Sequence, residues 1–236
     1  MSVMGLFFVF IASIALIWLV RQGVTQSPWL EEGEVAQYRG ARGVAPPPAA
    51  KVGLAVFLAV AGCLFSLLMA AFFMRSDAPD WRMPPPPAIL WLNTALLAAS
   101  SLALQMALNG ARRADMARVR SGLTIAAVAA GLFLIGQLWA WRELLAEGFF
   151  AASNVANAFF FLLTGAHALH LIGGLVALAR TIDKVRIAPR LTEALTTSVE
   201  LCAIYWHFLL FVWLLLFAAL IGWADGLGAI CRRALS

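Results

Sequence analysis

Charge is what this chain of 236 residues has least of: Asp, Glu, Lys and Arg together make up 12% of it, against 63% hydrophobic residues. A soluble chain keeps about a quarter of its residues charged to stay wetted. With mean hydropathy at +0.88, a water-soluble globular fold is excluded and lipid is the solvent. Cysteine is scarce too. Cys63, Cys202 and Cys231 stand far apart and form no CxxC, so neither a disulfide framework nor a thiolate metal site is indicated. No Gly-rich phosphate loop, nucleophile elbow or metal-hydrolase helix occurs, which leaves an enzyme reading without machinery. A transporter reading lacks a matched pair of broken helices and a midplane substrate clamp. No internal repeat is evident. Ahead of the first apolar run there is no basic segment, and after it no small-residue cleavage site leading into a soluble domain. Residues 4–20 therefore read as a retained helix, not a signal peptide.

What the chain has instead is long apolar runs. A hydrocarbon core of about 30 Å takes about 20 apolar residues of helix, and six stretches come close: 4–20, 53–74, 88–108, 122–141, 155–179 and 197–223. Backbone polar groups in lipid must be satisfied within the span, and Gly and Pro gather between the spans, so closed helices are favoured over a barrel. The expected fold is all-α, a polytopic transmembrane bundle of about six helices forming a single membrane domain over residues 1–236. Its parts are an N-terminal extra helix at 4–20, a polar loop at 21–52, a five-helix core at 53–223 and a short tail at 224–236.

The formal charge of +5 and pI near 9.7 would suggest nucleic acid in a soluble protein, but here the basic residues lie between spans and set orientation. Arg21, Arg39, Arg42 and Lys51 follow the first span, Arg112, Arg113, Arg118 and Arg120 the third, and Arg180, Lys184, Arg186 and Arg190 the fifth. Those loops are expected on the cytoplasmic side, against only Arg75, Arg82 and Arg142 opposite, which puts both chain ends outside. The run from Pro84 to Pro87 ends an outer loop just before a helix start, where missing N–H groups cost nothing. Small residues at Ala95, Ala99, Ala103 and Ala107 form a smooth stripe for a neighbouring helix, and Gly173 with Ala177 offers a similar notch.

Ionisable groups inside a bilayer are costly and are functional candidates by default. Here they are His167 and His170, three apart on one helix face, His207 in mid-span, and Glu200 two turns before it on nearly the same face. One reading is a bis-histidine haem held between facing helices, for example by His170 and His207. The bland reading gives each imidazole a hydrogen bond to a neighbouring helix, a carbonyl or a headgroup, and it is favoured, since a single pair lacks the multi-haem pattern and nothing nearby supplies propionate partners. A copper or zinc site built from the three histidines would need a further ligand that Glu200, too far along its helix, does not easily supply. Asn93, Gln105, Gln137, Asn154 and Asn157 read as interhelical glue, and tryptophans such as Trp139, Trp141, Trp206, Trp213 and Trp223 as interfacial belts or packing.

Two segments then resemble a known family, subunit III of haem-copper terminal oxidases. FFFLLTGAHALHLIGG at 159–174 is similar to the family's phenylalanine pair, Thr-Gly and two histidines three apart. VELCAIYWHFLLFVWLLLF at 199–217 is similar to its final helix. Weaker echoes at 51–58, 84–104 and 131–139 follow in the family's order, so the resemblance covers five spans. It departs where the family carries acids: the matching positions here are Ala61, Ala140 and the neighbourhood of Leu210. Six spans fit neither the five-helix nor the seven-helix plan of that family. What the resemblance implies is a non-catalytic, stabilising subunit of an aerobic respiratory complex that passes electrons to oxygen. It would pack on the haem-copper subunit I, with subunit II nearby, and hold phospholipids, the haems and copper belonging to those partners. His167, His170, Glu200, Trp206 and His207 would then be helix or lipid contacts. An accessory protein of nitric oxide reductase is the second reading the resemblance allows, and a small b-type membrane cytochrome a more distant one. The Ala-rich composition without a transit peptide points to a multi-pass protein of a bacterial inner membrane.

Overall fold

In the computed structural model the described residues are 49–76 and 78–222, and among them every regular element is an α-helix. The elements are α1 (Ala49–Ser76), α2 (Ile89–Arg112), α3 (Met116–Ala146), α4 (Val155–Ile187) and α5 (Glu193–Leu220). All five are long and apolar enough to cross a membrane. The expected span at 4–20 lies outside the described residues.

The helices overrun the apolar stretches that mark them. Residues 49–52, read from sequence as the end of a polar loop, begin α1, and α3 runs 31 residues where hydropathy outlines only 122–141. At 1.5 Å per residue α3 is about 46 Å long, enough to carry both ends into the headgroup layers. Hydropathy reports hydrocarbon thickness; caps report where the helix stops. Asp115 accepts from the Arg118 N–H, Asn154 from the Ala156 N–H and Thr192 from the Leu195 N–H, each supplying an oxygen to an otherwise orphaned donor at a helix start. The last helix ends at Leu220, before the expected 223, with Gly222 in the left-handed region at φ 74°.

The chain falls into two compact units, 1–61 and 62–236. Of the first, the described part is the opening of α1, an apolar rod with Val52, Val56, Phe57 and Val60 exposed. In the second, α2 to α5 form a closed ring of neighbours: α2 packs on α3, α3 on α4, α4 on α5, and α5 back on α2. Short connections at 113–115, 147–154 and 188–192 make every neighbour antiparallel. The turn at 113–115 is tight enough to hold Ala114 at φ 56°, a conformation that costs a non-glycine residue about 1 kcal/mol.

Helices α2 and α3 approach closely enough for backbone to meet backbone. A Cβ added at Gly122 would stand 2.8 Å from both the Ala103 carbonyl oxygen and the Ala107 Cβ, so half of the alanine stripe serves this contact. Ala95 and Ala99 are exposed, because the four-residue repeat drifts round the helix and only one part of it faces α3. The notch expected at Gly173 and Ala177 also faces outwards; the residue used is Gly174, where a Cβ would lie 2.5 Å from Tyr205 Cε1. One residue turns the helix by about 100°, enough to exchange the outer and inner face.

At one end of this bundle Trp81 in the loop meets Phe72 of α1 at 5.2 Å and Phe159 of α4 at 5.7 Å between ring centroids. Asn154 donates to the Arg82 carbonyl there, and Arg75 pairs with Asp80, holding its carboxyl below the usual carboxylate range. At the opposite end the basic residues at 112–120 and 184–190 lie together, and Arg120 donates to the Val185 carbonyl. Filling the α2–α3 contact with Gly122→Leu is expected to cost about 1–3 kcal/mol. The unfolding midpoint in detergent should fall accordingly, while Gly131→Leu, with open space around its Cα, should leave it unchanged.

Candidate functional site

The chemistry-bearing side chains of the spans converge on the core between α4, α5 and α2, and they do so through register. Along α5 and back along α2 the pairs are Trp206 with Ser100, His207 with Ser101, and Trp213 with Thr94, as antiparallel neighbours require. Trp206 is fully buried; its indole N–H donates to Ser100 Oγ at 2.7 Å, and that hydroxyl donates on to the Ala126 carbonyl of α3 at 2.8 Å. One indole thus ties three helices. Trp213, also fully buried, donates to Thr94 Oγ1 at 2.9 Å, and Trp141 ties α3 to α4 through Thr164 Oγ1 at 3.0 Å. These three tryptophan N–H groups are donors inside hydrocarbon and each finds a hydroxyl, which gives Ser100, Thr94 and Thr164 their place.

His207 lies on the outer rim of the α2–α5 seam. Its Nδ1 meets Ser101 Oγ at 2.5 Å and its Nε2 meets the Gln105 carbonyl oxygen at 3.0 Å. An amide oxygen only accepts, so the proton sits on Nε2 and the Ser101 hydroxyl donates to Nδ1. The Gln105 amide passes the series on to Asn109 Oδ1 at 3.3 Å. His207 therefore faces α2 and is turned away from α4.

His170 is half-buried; its Nδ1 bonds the Ala166 carbonyl one turn back at 2.8 Å, and its own carbonyl accepts from the Tyr205 hydroxyl at 2.8 Å. The pairing of His170 with His207 across a haem, raised from the sequence, finds no support in this geometry, because His207 spends both ring nitrogens on Ser101 and Gln105 of α2. Glu200 is half-buried on α5, two turns before His207. Among the described residues no group of three His, Cys, Asp or Glu side chains stands close enough to hold a metal ion.

His167 departs furthest from the rule of satisfied polar groups. It is fully buried, and neither ring nitrogen has a hydrogen-bond partner. Its neighbours are aromatic: Trp213 at 5.2 Å, Phe133 at 5.9 Å and Phe65 at 6.2 Å between centroids. Phe65 also touches His170 at 5.1 Å, so one phenylalanine of α1 covers both histidines of α4. Three buried amides also keep an unbonded atom: Asn93 donates to Gln137 across α2–α3 at 3.5 Å, leaving Asn93 Oδ1 and Gln137 Nε2 unbonded, and Asn157 Oδ1 is unbonded too. Of the amides expected as interhelical glue, Asn157 serves the 147–154 loop, while Asn154 caps α4 and donates to the Arg82 carbonyl in the loop before α2. The serine and threonine acceptors escaped the sequence reading; pairing Trp206 and Trp213 with hydroxyls at a constant antiparallel offset would have found Ser100 and Thr94.

Two positions where the resembling family carries an acid, Ala61 and Ala140, are buried alanines, while Leu210 is half-buried.

A family model described as Cytochrome c oxidase subunit III matches residues 4–225. "Probable cytochrome c oxidase subunit 3" of Nocardia farcinica is 31% identical over 179 residues, covering 74% of this chain and 88% of that protein. "Cytochrome c oxidase subunit 3" of Corynebacterium diphtheriae is 30% identical over 181 residues, 72% of this chain and 86% of that one. The protein of the same name from Thermostichus vulcanus is 29% identical over 173 residues, 72% and 85% of the two chains.

Two predictions separate the satisfied from the unsatisfied groups. His167→Leu removes an unpaired buried imidazole and is expected to raise stability by about 1 kcal/mol, whereas His207→Phe breaks two bonds and should lower it by about 1–2 kcal/mol. Thermal unfolding in detergent reads both signs. In the same assay Trp206→Phe should cost about 1 kcal/mol and Trp139→Phe, at an exposed indole, close to nothing.

Proposed function

The chain belongs to the cytochrome c oxidase subunit III family, and from that membership we propose a finer assignment: it packs on the haem-copper subunit I of a bacterial inner-membrane oxidase, beside subunit II, and holds phospholipids at its margin. As a multi-pass accessory subunit III of a haem-copper oxidase it works within a complex of oxidase subunits. The observation that carries the reading is the family match from residue 4 to 225, which takes in every described helix.

In this role the polar residues of the spans are ties. Trp206, His207 and His170 are assigned to register between α5 and its neighbours α2 and α4, supported by their bonds to Ser100, to Ser101 and Gln105, and to the Tyr205 hydroxyl. His167, fully buried, is assigned to helix contact, and Glu200, half-buried on α5, to helix or lipid contact. Supporting a contact role over a ligand role for the imidazoles is their geometry: His207 spends both nitrogens on α2 side chains, and His167 is fully buried among aromatic rings. The oxygen chemistry, the haems and the copper ions would then lie entirely in the partners.

Mild detergent extraction of the tagged chain from its native membrane is expected to bring down a haem-bearing subunit in stoichiometric amount, identified by mass. The same chain expressed without its partners should show no Soret band. Recovery of a stable lone chain from the native membrane, or a stoichiometric haem lost on His207→Phe, would overturn the assignment.

A further inference from the structure

One set of polar side chains is buried inside the ring of α2 to α5 and left incomplete there. Asn93 of α2, Gln137 of α3 and His167 of α4 are each at most 1% exposed. Asn93 Oδ1, Gln137 Nε2 and both ring nitrogens of His167 meet no hydrogen-bond partner in the protein. Their neighbours place them at one depth. Trp213 of α5 donates to Thr94, the residue after Asn93, and its ring lies 5.2 Å from that of His167 between centroids. Phe133, one turn before Gln137, touches Trp213 at 4.8 Å and His167 at 5.9 Å, while Asn93 reaches Gln137 itself at 3.5 Å. Each helix of the ring thus supplies one residue to a single layer: Asn93, Gln137, His167 and Trp213.

The unmet atoms of this layer are of both kinds. Gln137 Nε2 only donates, Asn93 Oδ1 only accepts, and a neutral imidazole has one nitrogen of each sort. An ion would answer one kind and oppose the other, and the layer contains no Asp, Glu, Lys or Arg to balance its charge. A water molecule answers both, and about three bonds are what a buried water makes. Several unmet polar groups in hydrocarbon cost more free energy than the ordering of one water. The inward positions of α3 beside Gln137 are Gly136 and Ala140, both with minimal side chains, so the helix does not crowd its own amide. Asn93 Oδ1 lies against Gly136, where an added Cβ would collide with it, which brings the acceptor next to the Gln137 donor.

We propose that the layer of Asn93, Gln137 and His167 is a binding site for one internal water, which accepts from Gln137 Nε2 and donates to Asn93 Oδ1 and to one ring nitrogen of His167. The water joins α4 to the amide pair of α2 and α3, a link that the protein's own hydrogen bonds do not make, and it adds a tie to those of Trp206 and Trp213. The second ring nitrogen stays among aromatic rings, so the imidazole remains costly to bury and the gain expected from His167→Leu keeps its sign. The site belongs to the chain itself and stands whether or not the accessory-subunit reading does.

The test is a density map of the chain, purified from its native membrane with the subunits it retains, at a resolution where ordered water is visible elsewhere in the assembly. One ordered feature is expected about 2.7–3.2 Å from Gln137 Nε2, Asn93 Oδ1 and a ring nitrogen of His167. Clear side chains with nothing ordered between them would overturn the proposal, as would a Gln137 amide bonded directly to the His167 ring. In a second map, Asn93→Leu combined with Gln137→Met removes two of the three partners at nearly constant side-chain size, and the feature is expected to vanish. Its persistence there would show that the amides do not hold it and would sink the site. Should the double variant fail to fold, the map of the unaltered protein decides alone.

Discussion

The indole N–H of Trp206, held by the Ser100 hydroxyl that itself donates to the Ala126 carbonyl, is the interaction on which the bundle's register depends. Apolar packing gives helices in lipid little reason to choose one neighbour or offset over another, since lipid tails are as apolar as leucine. A buried donor is different. Slide α5 by one residue along α2 and Trp206 loses Ser100, Trp213 loses Thr94 and His207 loses Ser101 together. A few hydrogen bonds of modest individual strength thereby fix a geometry that tens of methyl contacts would leave loose.

Glycine and alanine complete that arrangement by letting the helices approach. Gly122 rests on Ala103 and Ala107, and Gly174 takes the edge of the Tyr205 ring. Where side chains are this small the backbones come within reach of neighbouring hydroxyls and carbonyls, so close approach and hydrogen bonding support each other. His167 stands against this pattern as a fully buried imidazole among aromatic faces.

The division of the molecule into an inner polar lattice and outer surfaces of two kinds bears on assembly. The α3 face is continuous hydrocarbon, as a lipid boundary needs to be. The α2–α5 seam sets an imidazole and two amides among bulky apolar side chains.

Much of this was legible in the residues. Runs of apolar side chains far longer than a soluble helix needs fixed an all-helical membrane protein, and the order of the segments 159–174 and 199–217 fixed its family resemblance. The helix ends were written in Asp115, Asn154 and Thr192 but hidden behind a hydropathy reading that sees only the bilayer core. What the residues alone left open was which side of each helix faces which neighbour. The three histidines looked alike as mid-span imidazoles, yet one is sealed among aromatics, one bonds its own helix and one lies on the rim of a seam. Composition and spacing determine that a segment crosses the membrane, because transfer into lipid depends on the sum of its side chains. The partner of each polar atom was decided by tertiary packing, because that depends on the rotation and offset of two helices at once, and a turn of about 100° per residue exchanges core for surface.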